Sequence, residues 1–144
     1  MVVTNRSYIF AKLRAYDGDR VMAVFIGNMK NTNAATCALQ INYAMNEIIR
    51  PKLKAQYPNT NYVPAHPVGV DTSELFIARI GVRNDNDLVW VGRAANYAAK
   101  LCALRDGAYT SWITAAVHGV LESSAKTSSS GQSKRLSVKL AVEA

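Results

Sequence analysis

No stretch of this sequence approaches the roughly 20 apolar residues that a membrane-spanning helix needs. The first apolar stretch is interrupted by Asn5, Arg6, Lys12 and Arg14, so no signal peptide is read there either. Cysteine is scarce. Cys37 and Cys102 each lie among apolar neighbours in a helical pattern and are read as small core residues, not as a disulfide or a metal pair. Histidine is equally scarce: His66, between Ala65 and Pro67, has no acidic or cysteine partner nearby, and His118 has none at metal spacing, so both are read as surface residues. No internal repeat is present. The basic residues are scattered apart from Lys52/Lys54 and Lys134-Arg135, without the interleaved aromatics of a nucleic-acid groove, so no nucleic-acid partner and no membrane partner is expected.

What is present is a chain of 144 residues, 49% hydrophobic and 19% charged, which reads as one globular cytoplasmic domain with an ordinary core. The formal charge of +7 favours an anionic partner in general. Nucleotides, nucleic acids and acidic lipids all qualify, and most of the excess is accounted for by a solvated basic surface.

In chain order, residues 7–13 and 20–25 carry strand-type side chains, with Asp17-Gly18 between them as a hairpin turn. Asp19 follows that turn and starts the second strand, where a carboxylate can be held at a sheet end facing a pocket. Residues 31–54 are helical: Thr32 or Asn31 can cap, and Ala35, Ala38, Leu39, Ile41, Tyr43, Met45, Ile48 and Ile49 make a broad apolar face. Pro51 marks the end of its regular part or a kink. Residues 57–67, with three prolines, read as loop. Two strands, 68–71 and 74–80, are joined by Thr72-Ser73. A polar loop at 83–87 leads to a strand at 88–91, where Trp90 is a core or interface aromatic. A helix follows from 94 to 105, with Ala95, Ala98 and Ala99 small enough for close approach to a sheet. A strand at 109–113 and a helix at 115–125 complete the regular part. The serine-rich stretch 123–133 reads as flexible, and 134–142 alternates like a terminal edge strand. This order describes an α+β sandwich with helices on one or both faces of a mainly antiparallel sheet.

The stretch from Asp87 to Leu101, DLVWVGRAANYAAKL, holds the most chemistry. A short apolar strand turns at Gly92-Arg93 into a helix on which Asn96 and Lys100, four residues apart, leave one face. Backbone N–H groups and the dipole at the start of that helix favour an anion. An amide and a cation placed there suit a polyphosphate.

This pattern resembles the signature of the class III nucleotidyl cyclases: an acidic residue, an apolar strand, Gly, a short spacer, Asn, three residues and then Arg. The chain matches at Asp87, Gly92 and Asn96, with Lys100 in place of Arg. Two further blocks follow the family's order. Asp17-Gly18-Asp19-Arg20-Val21-Met22-Ala23-Val24-Phe25 is similar to its metal-carboxylate hairpin. Gly69-Val70-Asp71, Glu74 and Ala78-Arg79-Ile80-Gly81 are similar to the hairpin before the Asn helix. Together they cover about residues 7–120. The family's first metal strand continues with an Asp and is followed by two helices, whereas here Ile9-Phe10-Ala11 is followed by Lys12 and, within a few residues, by the hairpin. An omitted segment near residues 11–12, a truncation and a loss of two-metal chemistry are the three explanations, and the abrupt join favours the first.

The resemblance implies a ferredoxin-like βαββαβ core lacking its first helices, and a homodimer with active sites shared across the interface. It implies cyclisation of a nucleoside triphosphate to a 3′,5′-cyclic mononucleotide with two Mg²⁺ or Mn²⁺ ions. Asp19 would be a metal ligand whose second carboxylate is not found, Asn96 would orient the ribose and Lys100 would offset charge on the α-phosphate. Asp87, Val89 and Arg93 would border the substrate. Purine cyclases carry a Lys before the hairpin Asp and an Asp or Cys in the strand; Ala15-Tyr16 and Val89 depart from both. In that respect the chain resembles the bacterial anti-phage Pycsar pyrimidine cyclases, with UTP expected first and CTP second. Tyr16 is then a candidate to shape the pyrimidine pocket, or simply an aromatic ahead of a turn. The alternative is an inactive cyclase-like module for dimerisation or nucleotide sensing.

Overall fold

The computed structural model describes residues 11–82, 85–104 and 109–126. The strand-type runs at the start pair as an antiparallel hairpin of β1 (Ala11–Asp17) and β2 (Arg20–Phe25). Asp17 pairs with Arg20, so the turn is Gly18-Asp19, one residue later than the Asp-Gly dipeptide suggests. Gly18 sits at φ +56°, the left-handed conformation such a turn demands and glycine adopts freely. Asp19 is therefore an exposed turn residue, and the strand begins at Arg20.

The long helical pattern resolves into α1 (Lys30–Tyr43), a π-helical segment (Ala44–Ile49) and α2 (Arg50–Gln56). Neither Asn31 nor Thr32 caps it: Met29 precedes the first turn without a side-chain bond, and buried Thr32 accepts the Glu122 N–H on Oγ1 instead, at 3.3 Å. Pro51 neither stops nor visibly breaks the helix. It lies at the start of α2, where a missing N–H is tolerated, and the wide π turn just before it absorbs the change. Of the expected apolar face only Ala35 and Ala38 are buried, alongside Ala34 and Cys37, while Tyr43, Ile48 and Ile49 are exposed.

The loop 57–67 then leads to β3 (Val68–Val70), followed by β4 (Phe76–Val82), β5 (Asp85–Val91), α3 (Arg93–Cys102), β6 (Ser111–Ile113), α4 (Ala115–Gly119) and α5 (Ser123–Lys126). β3 and β4 do not pair with each other. β3 runs parallel to β6, and β4 forms its hairpin with β5, which takes Asp87 out of the expected loop and into a strand opposite Ile80. The expected helix 115–125 is two short ones, separated so that Leu121 turns into the core while Val120 stays exposed. The first four residues of the stretch expected to be flexible form α5, with Ala125 buried. Residues 7–10, 83–84, 105, 127–133 and 134–142 of the expected elements lie outside the described residues.

The β3–β6 pair is covered on both faces. Val70 and Ile113, opposite one another, look towards α1, where Ile113, Ala35, Val117, Leu121 and Ala125 form a cluster flanked by Leu39 and Val70. Gly69 and Trp112 share the other face, beneath α3. Trp112 meets Tyr109 edge to face at 5.7 Å. At Gly69 a side chain has no room: a Cβ would collide with the Ala98 carbonyl oxygen and stand 2.8 Å from Leu101 Cβ. Ala98 thus serves the close approach expected of it, whereas Ala99 is exposed. The fold is α+β and compatible with the ferredoxin-like core, built here from three two-stranded sheets among the described residues.

A polar ladder secures the 57–67 loop. Thr110 Oγ1 and Asn46 Nδ2 both donate to Asn42 Oδ1 at 3.0 Å, and Arg50 Nη1 donates to Asn46 Oδ1 at 2.6 Å. Arg50 Nε and Nη2 then grip the Pro64 carbonyl at 3.1 and 3.0 Å. His66, expected on the surface, is half-buried, with both ring nitrogens shielded from solvent and without a hydrogen-bond partner.

Two outcomes follow from this packing. Gly69→Ala is expected to lower the unfolding free energy by about 1–3 kcal/mol through overpacking, read from urea unfolding midpoints. Burial, aided by the Arg50 charge, holds His66 below its ordinary value of 6.5. The unfolded chain then takes up a proton that the folded chain resists. Stability should be undiminished above about pH 6.5 and decline as pH falls below it. Thermal melts between about pH 7 and pH 5 should show that slope, and His66→Gln should flatten it.

Candidate functional site at the start of α3

The chain enters α3 from β5 through Gly92, which has no side chain to cap the helix. The preceding loop takes over that role from 21 residues upstream: Ser73 Oγ accepts the Ala94 N–H at 2.9 Å. Gly92 itself lies so close to that loop that a Cβ would stand 2.8 Å from Leu75 Cδ2 and 2.9 Å from the Glu74 carbonyl oxygen. Beside it, Arg93 Nη2 donates to the Thr72 carbonyl at 3.0 Å, and Arg93 Nε lies 3.9 Å from Asp71 Oδ2. The Asp71 side chain is only 1% exposed, against 48% for that of Arg93. Its other oxygen accepts the Thr114 hydroxyl at 2.5 Å. A buried carboxylate needs such company, because removing its hydration without replacement costs several kcal/mol.

Arg93, Asn96 and Lys100, at spacings of three and four, rise on one side of α3. Asn96 and Lys100 are exposed, as the helical spacing predicts. Arg93 and Lys100 both lie over the Tyr97 ring, 5.8 and 5.5 Å from its centroid, so one half-buried aromatic gathers two cations. Lys100 stands in the last turn of the helix, not near its N-terminus. The positive end of the dipole therefore serves the turn holding Asn96, and Lys100 contributes its own charge from about 6 Å further along the axis. No acidic side chain occupies the first turn. An amide, two cations and a helix start on one accessible side can receive a phosphate group.

The other expected site residues lie on separate sheets. Asp87 and Val89 are on β5, opposite Ile80 and Ala78, and share their face of the β4–β5 hairpin with Phe76, Ile80, Val82 and Val91. That face is open and apolar: Phe76 is 70% and Val82 72% exposed. Asp87 Oδ1 accepts its neighbour's N–H, from Leu88, at 2.7 Å. Tyr16 is on β1 opposite Val21, one pair from the turn that holds Asp19. The first hairpin meets α1 through β2, while α3 meets β3 and β6. Among the described residues no group of three or more His, Cys, Asp or Glu stands where it could hold a metal ion. Asp19, alone on an exposed turn, does not make a metal site by itself. No helix of the described residues is long and apolar enough to cross a membrane.

Sequence reasoning found the Asn96 and Lys100 face but missed Ser73, Thr114 and the burial of Asp71. The run Asp71-Thr72-Ser73 did carry a signal, since these are capping and turn residues. The helix they serve begins some 20 residues later, which no local pattern reveals.

No protein-family model matches the chain. Among curated proteins it is similar to a uridylate cyclase of Xanthomonas perforans, 55% identical over 114 residues, which are 79% of this chain and 48% of that protein. It is 63% identical over 92 residues to a uridylate cyclase of Burkholderia cepacia, covering 64% of this chain and 40% of that one. A uridylate cyclase of Rhodovulum sp. (strain MB263) is 40% identical over 115 residues, covering 78% of this chain and 48% of that protein. The chain thus spans less than half the length of each of these relatives.

Thr114→Val keeps the shape of the side chain but leaves Asp71 Oδ1 without its donor. A loss of about 1–3 kcal/mol of stability is expected, measured by chemical unfolding. The loss should shrink in the Asp71→Asn background, where no buried charge remains to be satisfied.

Proposed function

Since the chain is a homologue of the uridylate cyclases over part of their length, we propose that it belongs to a cytosolic class III nucleotide cyclase that turns UTP, and less readily CTP, into a 3′,5′-cyclic mononucleotide and pyrophosphate. The reading also takes the product as a second messenger in anti-phage defence, on the strength of the resemblance to the Pycsar cyclases. The observation that carries the enzyme assignment is identity of 55% with one uridylate cyclase over 79% of the chain and of 63% with another over 64% of it. Exposed Asn96 near the helix start and exposed Lys100 one turn further along the same face suit the triphosphate chemically.

In this reading the substrate's own 3′-hydroxyl attacks its α-phosphate and pyrophosphate leaves. Asn96 holds the ribose, so that the hydroxyl lies in line with the phosphorus, and Lys100 offsets the negative charge that grows on the α-phosphate oxygens. A lysine supplies that charge as a point without the planar fork of arginine, and Tyr97 beneath it limits where the point can lie. Arg93 borders the same face while hydrogen-bonded to the Thr72 carbonyl and paired with Asp71 at 3.9 Å. Asp87, Val89 and Tyr16 border the base and ribose from the hairpins. Mg²⁺ or Mn²⁺ would neutralise the phosphates, with Asp19 giving one ligand oxygen of the type these ions prefer.

A homodimer completes the proposal. The β4–β5 hairpin exposes Phe76, Ile80, Val82, Val89 and Val91 along one face, an apolar stripe that association with a second copy would cover.

The test is to incubate the protein, as encoded in full, with each of the four ribonucleoside triphosphates and Mn²⁺, and to identify products by mass. A cyclic pyrimidine mononucleotide is expected, from UTP above CTP. Lys100→Ala should lower kcat by about 10²–10³-fold, in line with loss of one transition-state charge partner. Asp19→Ala should abolish turnover. A purine product would keep the cyclase and discard the roles of Tyr16 and Val89. No cyclic product from any triphosphate, with the protein folded, would assign it instead to nucleotide sensing or dimerisation.

A further inference from the structure

We propose that Asp71 is a positioning residue for the cyclisation: with Ser73 and Arg93 it fixes the rotation of α3 about its own axis, and thereby the direction in which Asn96 and Lys100 meet the triphosphate. The proposal rests on the cyclase reading above. It starts from what the apolar contact cannot do. α3 lies against β3 at Gly69, but apolar packing has no preferred direction and leaves a helix able to roll. A side-chain tip about 6 Å from the axis moves by about 2 Å for a roll of about 20°. In-line attack does not survive such a displacement.

The loop between β3 and β4 opposes the roll at two consecutive helix residues, which project about 100° apart around the axis. Ser73 Oγ holds the Ala94 N–H at 2.9 Å. On Arg93, one edge of the guanidinium donates to the Thr72 carbonyl at 3.0 Å and Nε faces Asp71 Oδ2 at 3.9 Å. A planar fork hydrogen-bonded on one edge and attracted to a carboxylate on the other loses part of its freedom. Asp71 in turn is anchored: its carboxylate is buried and the Thr114 hydroxyl just after β6 donates to it. The ends of both central strands and the first residues of α3 therefore form one connected bracket. Arg93 and Lys100 share the Tyr97 ring, so the bracket extends along the helix to the cation that meets the phosphate. None of these bracket atoms needs to touch substrate.

The experiment uses the protein as encoded in full, with UTP and Mn²⁺, and compares Asp71→Asn, Ser73→Ala and Ser73→Thr. Each variant is assayed well below its own melting midpoint, and hydrogen exchange at the Ala94 amide is followed alongside. Asp71→Asn and Ser73→Ala are expected to lower kcat by about 10- to 100-fold, as small misplacements do. KM should change by less than about threefold, since the lost alignment matters mainly in the transition state. Ser73→Thr, which retains the hydroxyl, should recover most of the rate, and Ala94 should exchange faster only in Ser73→Ala. Variants that melt earlier but keep their kcat would reduce the bracket to a stabilising feature and overturn the proposal. Unchanged exchange at Ala94 in Ser73→Ala would overturn it as well. If the unsubstituted protein makes no cyclic product, the cyclase reading itself has failed, and that result is distinct from an active parent with unaffected variants.

Discussion

The approach of α3 to β3 at Gly69 is the constraint on which the rest depends. Two backbones come within a distance that excludes even a methyl group, and the Ala98 carbonyl and Leu101 occupy the space a side chain would need. This contact sets how deep α3 lies. It leaves Trp112 covered on the same face of the β3–β6 pair, while Val70 and Ile113 serve the opposite face against α1. A pair of three-residue strands would be marginal alone. Covered on both sides, it becomes the core of the domain and the platform for the helix that carries Asn96 and Lys100.

Depth and orientation are separate matters, and the structure assigns them to different kinds of interaction. Apolar contact with β3 fixes the depth. Hydrogen bonds to Ser73 and Thr72, with the Asp71 carboxylate facing Arg93 at 3.9 Å, hold the first turn. The division has a cost in desolvation, because the Asp71 carboxylate is buried, and it is offset in part by the Thr114 hydroxyl on one oxygen and by the Arg93 charge 3.9 Å from the other. The matched stretch covers less than half of each of the uridylate cyclases to which the chain is similar, and the β4–β5 hairpin exposes a broad apolar face among the described residues.

Much of the local structure could be read from the residues, because strand and helix periodicities are local properties. The runs RVMAVF, VGV and AANYAAK declared themselves, and the four-residue interval between Asn96 and Lys100 was enough to place them on one face. Pairing was harder. Residues 68–70 and 76–80 are near neighbours in sequence, yet the first pairs with a strand more than 40 residues away and the second with β5, long-range choices that local periodicity does not encode. The turn at Gly18-Asp19 moved by one residue because Gly18 takes the left-handed position inside it. In the site, Arg93 was expected to border the substrate, and its ion pair with a buried carboxylate 22 residues upstream had no local signature. The same holds for Ser73 as a cap supplied from outside the helix.

The π-helical segment between α1 and α2 has a consequence for how the chain tolerates change in length. Asn42, Asn46 and Arg50 form an unbroken polar ladder across it and end on the Pro64 carbonyl, so the widened turn holds the angular phase between the two α-helical parts. One residue gained or lost there would turn α2 by about 100° relative to α1. Arg50 would then point away from the loop it secures. Substitutions at the exposed Ile48 and Ile49 disturb little that is visible, but insertions and deletions beside them act at a distance, like a key cut one notch off.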